Sequence, residues 1–95
     1  MPQNRPVQFG ILRRSLTAPA VLKSKPGILL YVVCLQNGSI TLNNCATVGA
    51  ASGGNQLAGT PATLTAGQVL PLNLACTVGI VASAVTGQFD VLMSS

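Results

Sequence analysis

Short β-prone runs dominate the chain from Gly27 onward. Runs rich in Val, Ile, Leu and Thr alternate with clusters of Gly, Asn, Ser and Pro, and no segment repeats its apolar residues with the 3.6-residue period of a helix. The longest apolar run, Ile28–Leu35, is bounded by turn residues on both sides, which predicts a central strand covered on both faces. Many short strands, with no helix to cover a sheet, predict an all-β fold, a β-sandwich or jelly roll of about seven strands.

Turn residues and alternation locate the other strands. Asn37-Gly38 predicts a type I′ hairpin, because both residue types tolerate positive φ. In the next run, Ser39–Asn43, polar and apolar residues alternate, so Ile40 and Leu42 should face the core. Pro71 predicts an edge strand or a bulge, since proline cannot donate a ladder hydrogen bond. The remaining predicted strands are Ala20–Ser24, Asn55–Gly59, Gln68–Ala75, Gly79–Val85 and Gln88–Met93.

Charge divides the chain into two regions. All five basic residues lie within the first 25 positions, whereas residues 26–95 contain a single charged residue, Asp90. The formal charge is therefore +5 for the first region and −1 for the second, which sums to the net +4 of the whole chain. Three prolines and the lack of a helical period predict an extended arm or an edge strand near the N-terminus. We accordingly divide the chain into a basic arm, residues 1–19, and a β-sandwich domain, residues 20–95.

No secretory signal or membrane span is expected from the apolar runs. Arg13 and Arg14 interrupt the continuous apolar stretch that a secretory signal needs. The eight residues of Ile28–Leu35 are too few to cross a bilayer as a helix. We therefore expect no membrane partner.

The amino-acid composition argues against a catalytic function. The sequence has no histidine, no glutamate and one carboxylate, Asp90, whereas acid–base chemistry commonly uses a histidine or a pair of carboxylates. Lys23 and Lys25 are the remaining candidate bases, and both lie beside Pro26 in a stretch predicted to be exposed, which disfavours either as an active-site base. We expect no enzymatic activity and no cofactor.

The three cysteines are predicted to be small apolar residues of the core. Cys34, Cys45 and Cys76 lack a fourth ligand and the close spacing of zinc modules, so we expect no metal site. Their odd number argues against a secreted disulfide framework and favours a reducing cytoplasm as the place of assembly. One disulfide bond, between Cys34 and Cys45, is the alternative that the sequence leaves undecided.

A nearly uncharged body indicates a surface that other chains cover. Only 6% of the residues are charged, against about a quarter in ordinary soluble domains. We expect the body to assemble with identical or different chains and the arm to dock on them; the alternative is a monomer kept soluble by Ser, Thr, Asn and Gln. Asp90 is either a salt-bridge partner for a neighbour's arginine or a solvated strand residue. The predicted docking residues are Arg5, Phe9, Ile11, Leu12, Arg13, Arg14, Lys23 and Lys25.

Across residues 20–95 the pattern resembles small β-sandwich virion proteins of tailed bacteriophages, which include head decoration or cement proteins and related neck or tail components. The resemblance rests on short passages at turns and strand starts, without a catalytic signature. These passages are Lys23-Ser24-Lys25-Pro26-Gly27 leading into Ile28–Val33, Gly38-Ser39-Ile40-Thr41-Leu42, Thr65-Ala66-Gly67, Gly79-Ile80-Val81, Thr86-Gly87 and Phe89-Asp90-Val91.

The resemblance implies a virion protein that acts in many copies on the capsid or at its junction with the tail. We expect a capsid decoration protein that forms a homo-oligomer, a trimer by preference, and that contacts the major capsid protein or other virion subunits through its arm. The alternatives are a neck, adaptor or tail component, a host-surface binding module that uses the loop Ala46–Gly54, and a nucleic-acid binding module that uses the arm. Direct nucleic-acid binding is less expected, because only Arg13 and Arg14 are adjacent and Phe9 is the one aromatic ring nearby.

Overall fold

Two four-stranded antiparallel sheets form the fold of the computed structural model, which describes residues 10–94. Two short 3₁₀ turns, Val48–Ala50 and Gly53–Asn55, lie between the fourth and fifth strands. The strands are β1 Gly10–Leu16, β2 Ala20–Lys23, β3 Gly27–Gln36, β4 Gly38–Asn43, β5 Ala62–Leu64, β6 Val69–Cys76, β7 Ile80–Val85 and β8 Gln88–Ser94.

The strand order is that of a jelly roll. Sheet A has the order β1-β8-β3-β6 and sheet B the order β2-β7-β4-β5, so the pairs β1·β8, β2·β7, β3·β6 and β4·β5 are nested as in one long hairpin wrapped around a core. The predicted all-β sandwich is confirmed. It has eight strands instead of about seven, because β1 and β5 are added and one predicted strand does not form.

The core lies between the two sheets and is built from alternate residues of the strands, except that Ile80, Val81 and Ala82 of β7 are all buried. Phe89 and Val91 of β8 point inward from sheet A, and Ile40 and Leu42 of β4 meet them from sheet B, as the alternation of polar and apolar residues predicted. The other fully buried large side chains are Leu29, Val32, Cys34, Ile80, Val81 and Met93.

The predicted strand Asn55–Gly59 is wrong. In the structure only Gln56 pairs, in an isolated bridge with Asn43, and the strand β5 begins three residues after Gly59. Two backbone hydrogen bonds, from Asn44 to Asn55 and from Leu57 to Leu42, flank this bridge. Side-chain hydrogen bonds add to them, since Nδ2 of Asn43 donates to the carbonyl oxygen of Ser52 at 2.9 Å and to Oδ1 of Asn55 at 2.8 Å.

The predicted hairpin at Asn37-Gly38 is also wrong. Strands β3 and β4 belong to different sheets, so the chain crosses between the sheets at Asn37. Gly38 does not have the positive φ of a type I′ turn. The absence of a side chain at Gly38 allows a close approach to the crossover from β7 to β8. A Cβ at this position would overlap the carbonyl oxygen of Thr86 in that crossover. Ser39 and Thr86 exchange two backbone hydrogen bonds of 3.1 and 2.8 Å, which join the two crossovers.

Strand β3 is interior in sheet A, but the prediction that both of its faces are covered is wrong. Leu29, Val32 and Cys34 are buried, whereas Ile28 and Tyr31 on the other face are exposed. The sequence run is uniformly apolar because the outward residues of β3 are apolar as well.

Part of the predicted arm is an edge strand. Residues 10–16 form β1 and pair with β8, with a register shift between Arg13 and Leu16 and a positive φ of 53° at Ser15. The boundary proposed between residues 19 and 20 falls at the start of β2. Backbone pairing therefore joins β1 to sheet A.

Candidate assembly surface

The first predicted docking residues lie near or on β1. Arg5 and Phe9 are outside the described residues. The backbone of Ile11 lies opposite Met93 of β8, and Leu12 lies opposite Leu92. The side chain of Leu12 is exposed.

Four basic residues lie at one border of the sandwich. Arg13 and Arg14 are exposed on β1, the edge strand of sheet A. Lys23 ends β2, the edge strand of sheet B, and its side chain passes beside Gly27, where an added Cβ would lie 2.5 Å from Cε. Lys25 is exposed in the turn that leads into β3. The basic residues that are clustered in the sequence are therefore also clustered in the fold. The edge strands on the opposite border, β5 and β6, contain no charged residue.

The outward side of sheet A carries a continuous apolar surface. Residues directly opposite each other on paired strands point to the same side of a sheet. Leu92 lies between two buried residues of β8 and therefore faces outward. Its partners are Leu12 on β1 and Tyr31 on β3, and Tyr31 is paired in turn with Pro71 on β6. One apolar row thus crosses all four strands.

Two further rows extend this surface. Val33 is paired with Val69 on one side and with Asp90 on the other, and Ile28 is paired with Ala75. We use the name sheet A face for the outward surface formed by the apolar residues Leu12, Ile28, Tyr31, Val33, Val69, Pro71 and Leu92 together with the acidic residue Asp90.

Four large side chains of the sheet A face are open to solvent. Their exposed fractions are 41% for Leu12, 43% for Ile28, 37% for Tyr31 and 56% for Val69. Four strands at the usual spacing and three rows along them give a flat area of about 400 Å². The largest apolar patch on a typical monomer has a similar size and is often functional. The sheet A face is therefore the strongest candidate site in the part of the chain that the structure describes.

The outward side of sheet B is different in character. Thr41 and Asn43 of β4 alternate with buried Ile40 and Leu42, and Oγ of Ser83 on β7 donates to Oδ1 of Asn43 at 2.7 Å. Asn43 is 2% exposed, because the loop between β4 and β5 covers it and accepts its hydrogen bonds. Apart from exposed Val21 and buried Val81, which are paired on this side, polar side chains and a covering loop thus occupy the positions that apolar residues hold on sheet A.

Irregular or short edge strands oppose strand-to-strand association. Strand β6 contains Pro71 and a positive φ of 51° at Asn73, and β1 contains the bulge at Ser15. In sheet B, β5 has three residues and β2 has four. Such features prevent a neighbouring chain from adding a regular strand. The apolar face, and not an edge, is therefore the surface suited to a partner.

The cysteines are buried and free, as predicted for core residues. Cys34 and Cys76 belong to the main apolar cluster, and Cys45 is buried beside it. Loss of hydration on burial raises the pKa of the Cys76 thiol, against a smaller opposing effect of a backbone hydrogen bond at Leu29. The Cys34–Cys45 bridge that the sequence left open is not formed.

Within residues 10–94 there is no enclosed pocket and no group of three or more side chains with metal-ligand chemistry. No helix in that range has the length and apolar character needed to cross a membrane.

Leu12 is both a predicted docking residue and a member of the sheet A face, whose other members are not among the predicted docking residues. The sequence pattern predicts Tyr31 and Val33 in a strand covered on both faces, and it predicts only a strand for Val69. The register that unites them joins β3 to β6 and β8, strands far apart in the sequence. The one signal of this surface in the sequence is that strands with a single buried side also have apolar residues at the alternate, outward positions.

Comparison with known proteins finds no matching family model, curated protein or solved structure.

Proposed function

We propose that this chain is a structural protein of a bacteriophage virion, a capsid decoration or cement subunit that oligomerises and stabilises the head. The observation that carries the proposal is the sheet A face, an apolar surface with one acidic residue, Asp90, on a body with almost no charge. A surface of this kind is costly to leave in water and gains free energy when another chain covers it.

The fold is in keeping with this role. Eight-stranded jelly rolls are found in viral capsid proteins, and also in lectins and cupins, so the fold alone does not choose a function. The sequence offers no histidine or glutamate for metal chemistry and no aromatic ring in the loop Ala46–Gly54 for stacking on a sugar. Structural assembly is the role that these residues support best.

The mechanism is mechanical. A subunit that binds across a junction between capsid proteins buries surface on several chains at once, and its binding free energy must be lost before those chains separate. In this proposal the sheet A face supplies the apolar contact. Arg13, Arg14 and the rest of the basic arm add contacts to an acidic neighbouring surface.

The test is to tag the chain in the genome that encodes it and to measure its copy number and position in purified particles by mass spectrometry and electron microscopy. We expect many copies spread over the head. A chain absent from purified particles would overturn the proposal, and a ring of fixed copy number at one vertex would replace decoration by a neck, adaptor or tail role.

Two matched double variants connect the result to the sheet A face. Tyr31→Ser with Val69→Ser removes two exposed apolar side chains from the face, whereas Val48→Ser with Val78→Ser removes two exposed apolar side chains elsewhere. We expect the first to lower incorporation at least about tenfold and the second to leave it unchanged. Equal incorporation of both variants would contradict the role of the face.

A nucleic-acid binding module is the second candidate, because Arg13 and Arg14 are exposed side by side on an edge strand. Phosphate contacts make affinity fall steeply with salt. The variant Arg13→Gln with Arg14→Gln separates the two functions: reduced DNA retention with normal incorporation into particles would favour nucleic-acid binding. Loss of incorporation with normal DNA retention would favour docking.

A further inference from the structure

We propose that Asn37 is a site of spontaneous deamidation, that opening of the edge strand β5 controls its rate, and that the isoaspartate product disrupts the contact between the two crossovers. The modification is a covalent change of the chain itself. It is independent of the proposed function, because it needs no partner chain.

The reaction joins Asn37 to its neighbour Gly38. The backbone nitrogen of Gly38 attacks Cγ of Asn37, a C–N bond forms, and Nδ2 leaves as ammonia, which carries away the amide proton of Gly38. The product is a five-membered succinimide ring. Water then opens the ring at either carbonyl group and gives aspartate or isoaspartate, in which the backbone runs through Cγ. One water is consumed and one ammonia is released, with no oxidant or reductant.

Asn37 is the asparagine best placed for this reaction. A glycine after the asparagine leaves the attacking nitrogen uncrowded, and Asn37 alone of the six asparagines in the sequence is followed by glycine. Its side chain is exposed, whereas that of Asn43 is 2% exposed. Within residues 10–94, Nδ2 of Asn37 donates no hydrogen bond, while Nδ2 of Asn43 donates two. The group that leaves is therefore held at Asn43 and open to solvent at Asn37.

Strand β5 occupies the attacking nitrogen. Ser39 directs its N–H and C=O groups toward Thr86, with backbone hydrogen bonds of 3.1 and 2.8 Å. Successive residues of an antiparallel strand direct these groups to opposite neighbours. The N–H of Gly38 therefore points toward β5, where Leu64 is its partner. While β5 is paired, this nitrogen is not available to attack the side chain.

The same segment also holds the side chain of Asn37. The backbone N–H of Ala66 donates to Oδ1 of Asn37 at 2.8 Å, and Ala66 lies two residues after Leu64, in the turn from β5 to β6. Opening of residues 62–66 thus frees the attacking nitrogen and the attacked carbon together. Strand β5 has three residues, none of them fully buried, and it lies at the edge of sheet B. Such a strand opens at a small cost in free energy.

The two products differ in their effect on the crossover. Aspartate keeps an acceptor oxygen and adds a negative charge, whereas isoaspartate lengthens the backbone between Asn37 and Gly38 by one carbon atom. The backbone has little room to move here, because a Cβ on Gly38 would overlap the carbonyl oxygen of Thr86. A Cβ on Gly87 would lie 2.5 Å from the carbonyl oxygen of Asn37. Isoaspartate should therefore displace the start of β4 and weaken the hydrogen bonds that join the two crossovers.

Incubation of the purified full chain at mildly alkaline pH measures the reaction, with peptide mass spectrometry and an isoaspartate-specific methyltransferase as the two readouts. We expect aspartate and isoaspartate at residue 37 to form faster than at the other described asparagines, Asn43, Asn44, Asn55 and Asn73. The same chain in urea gives the rate without a fold. Absence of product at residue 37 in the folded chain would overturn the site. Equal rates in the folded and denatured chains would overturn the control by β5.

Two matched variants identify the strand that has to open. Thr63 is the exposed middle residue of β5, and Val21 is an exposed residue of β2, the other edge strand of sheet B. Glycine weakens a strand at either position. We expect Thr63→Gly to raise the rate at residue 37 at least about twofold and Val21→Gly to leave it unchanged. Equal rates in Thr63→Gly and wild type, or equal acceleration by both variants, would contradict the control by β5.

Amide hydrogen exchange tests the effect of the product. Asn37→Asp is the control, because it has the charge of the aspartate product without the longer backbone. The isoaspartate form, separated by chromatography, should exchange the amides of Ser39 and Thr86 at least about fivefold faster than Asn37→Asp does. Equal exchange in the two forms would overturn the predicted disruption. All of these measurements use the isolated chain, so their outcome does not depend on whether the chain is present in particles.

Discussion

The backbone N–H of Ser15 donates a 2.8 Å hydrogen bond to Oδ1 of Asp90, across 75 positions of sequence. Ser15 is the bulge residue of β1, and its positive φ interrupts the regular pairing with β8. The only acidic residue of the chain therefore accepts a hydrogen bond from the edge strand at the point where the ladder is irregular.

Asp90→Ala should lower the free energy of unfolding by about 1 kcal/mol, because the amide of Ser15 loses a charged acceptor at a partly exposed site. Urea denaturation measures the loss, and amide exchange should quicken in β1 before it does so in β3. Asp90→Asn is the matched control, since it keeps an acceptor oxygen and should lose less than half as much. Equal losses in the two variants would show that the hydrogen bond to Ser15 contributes nothing.

Asn43 connects sheet B to the loop that covers it. Asn43→Ala removes its hydrogen bonds to Ser52, Asn55 and Ser83 and leaves buried polar groups without partners, so we expect a loss of about 2–3 kcal/mol in the free energy of unfolding. Ser83→Ala removes one of these bonds and should cost about 1 kcal/mol. Limited proteolysis should cut within residues 46–54 faster in Asn43→Ala than in Ser83→Ala. Equal cleavage rates would contradict the role of Asn43 in holding the loop.

Gly38 permits the contact between the two crossovers. Gly38→Ala should lower the free energy of unfolding by about 3 kcal/mol or prevent folding, because its Cβ would overlap the backbone of Thr86 and Gly87. Gly53→Ala is the control, since a Cβ there meets nothing within 4 Å. It should change the free energy of unfolding by less than about 0.5 kcal/mol. Thermal and urea unfolding of the two variants under identical conditions check the contrast.

Stability should fall at alkaline pH because burial raises the pKa of the Cys76 thiol. The unfolded chain releases this proton near the ordinary thiol pKa of about 8.5, whereas the folded chain keeps it to a higher pH. The contribution of Cys76 is thus fully present below the unfolded pKa and is lost as the pH rises through the folded-state pKa.

Urea unfolding between about pH 7 and 10 measures this fall, over the range in which an ordinary thiol titrates. Cys76→Ala should show a shallower decrease of the free energy of unfolding with pH than wild type. Cys45→Ala, which removes a buried thiol elsewhere, should keep the contribution of Cys76. An identical pH dependence in wild type and Cys76→Ala would contradict the prediction.

Local pattern was sufficient for most strands and insufficient for their arrangement. Alternation in Ser39–Asn43 identified the inward residues Ile40 and Leu42 correctly, because one side of that strand is polar. Asn37-Gly38 has the composition of a hairpin turn, but a crossover between two sheets needs a close backbone approach that glycine also provides. Sequence pattern does not distinguish a hairpin turn from a crossover at Asn37-Gly38. The two differ only in which distant strand pairs with β4.

The sequence predicted that a candidate assembly surface exists, but it did not predict which residues form that surface. The scarcity of charge indicated that other chains cover part of the body. Which side of the body presents exposed apolar residues depends on the register of β3 with β6 and β8, because that register places Tyr31 beside Pro71 and Leu92. In a run such as Ile28–Leu35 every position is apolar, so the inward and outward sides cannot be distinguished before the strand partners are known.

Gly10 is paired with Ser94, so the first and last described strands begin and end side by side. A chain whose ends are neighbours tolerates circular permutation when the new ends fall in an open loop. In a permutant of residues 10–94, a linker would join Ser94 to Gly10, and a break between Gly53 and Gly54 would open the chain where an added Cβ on Gly53 meets no neighbouring atom. The nested strand pairs would form unchanged, with the former first strand now in the interior of the sequence.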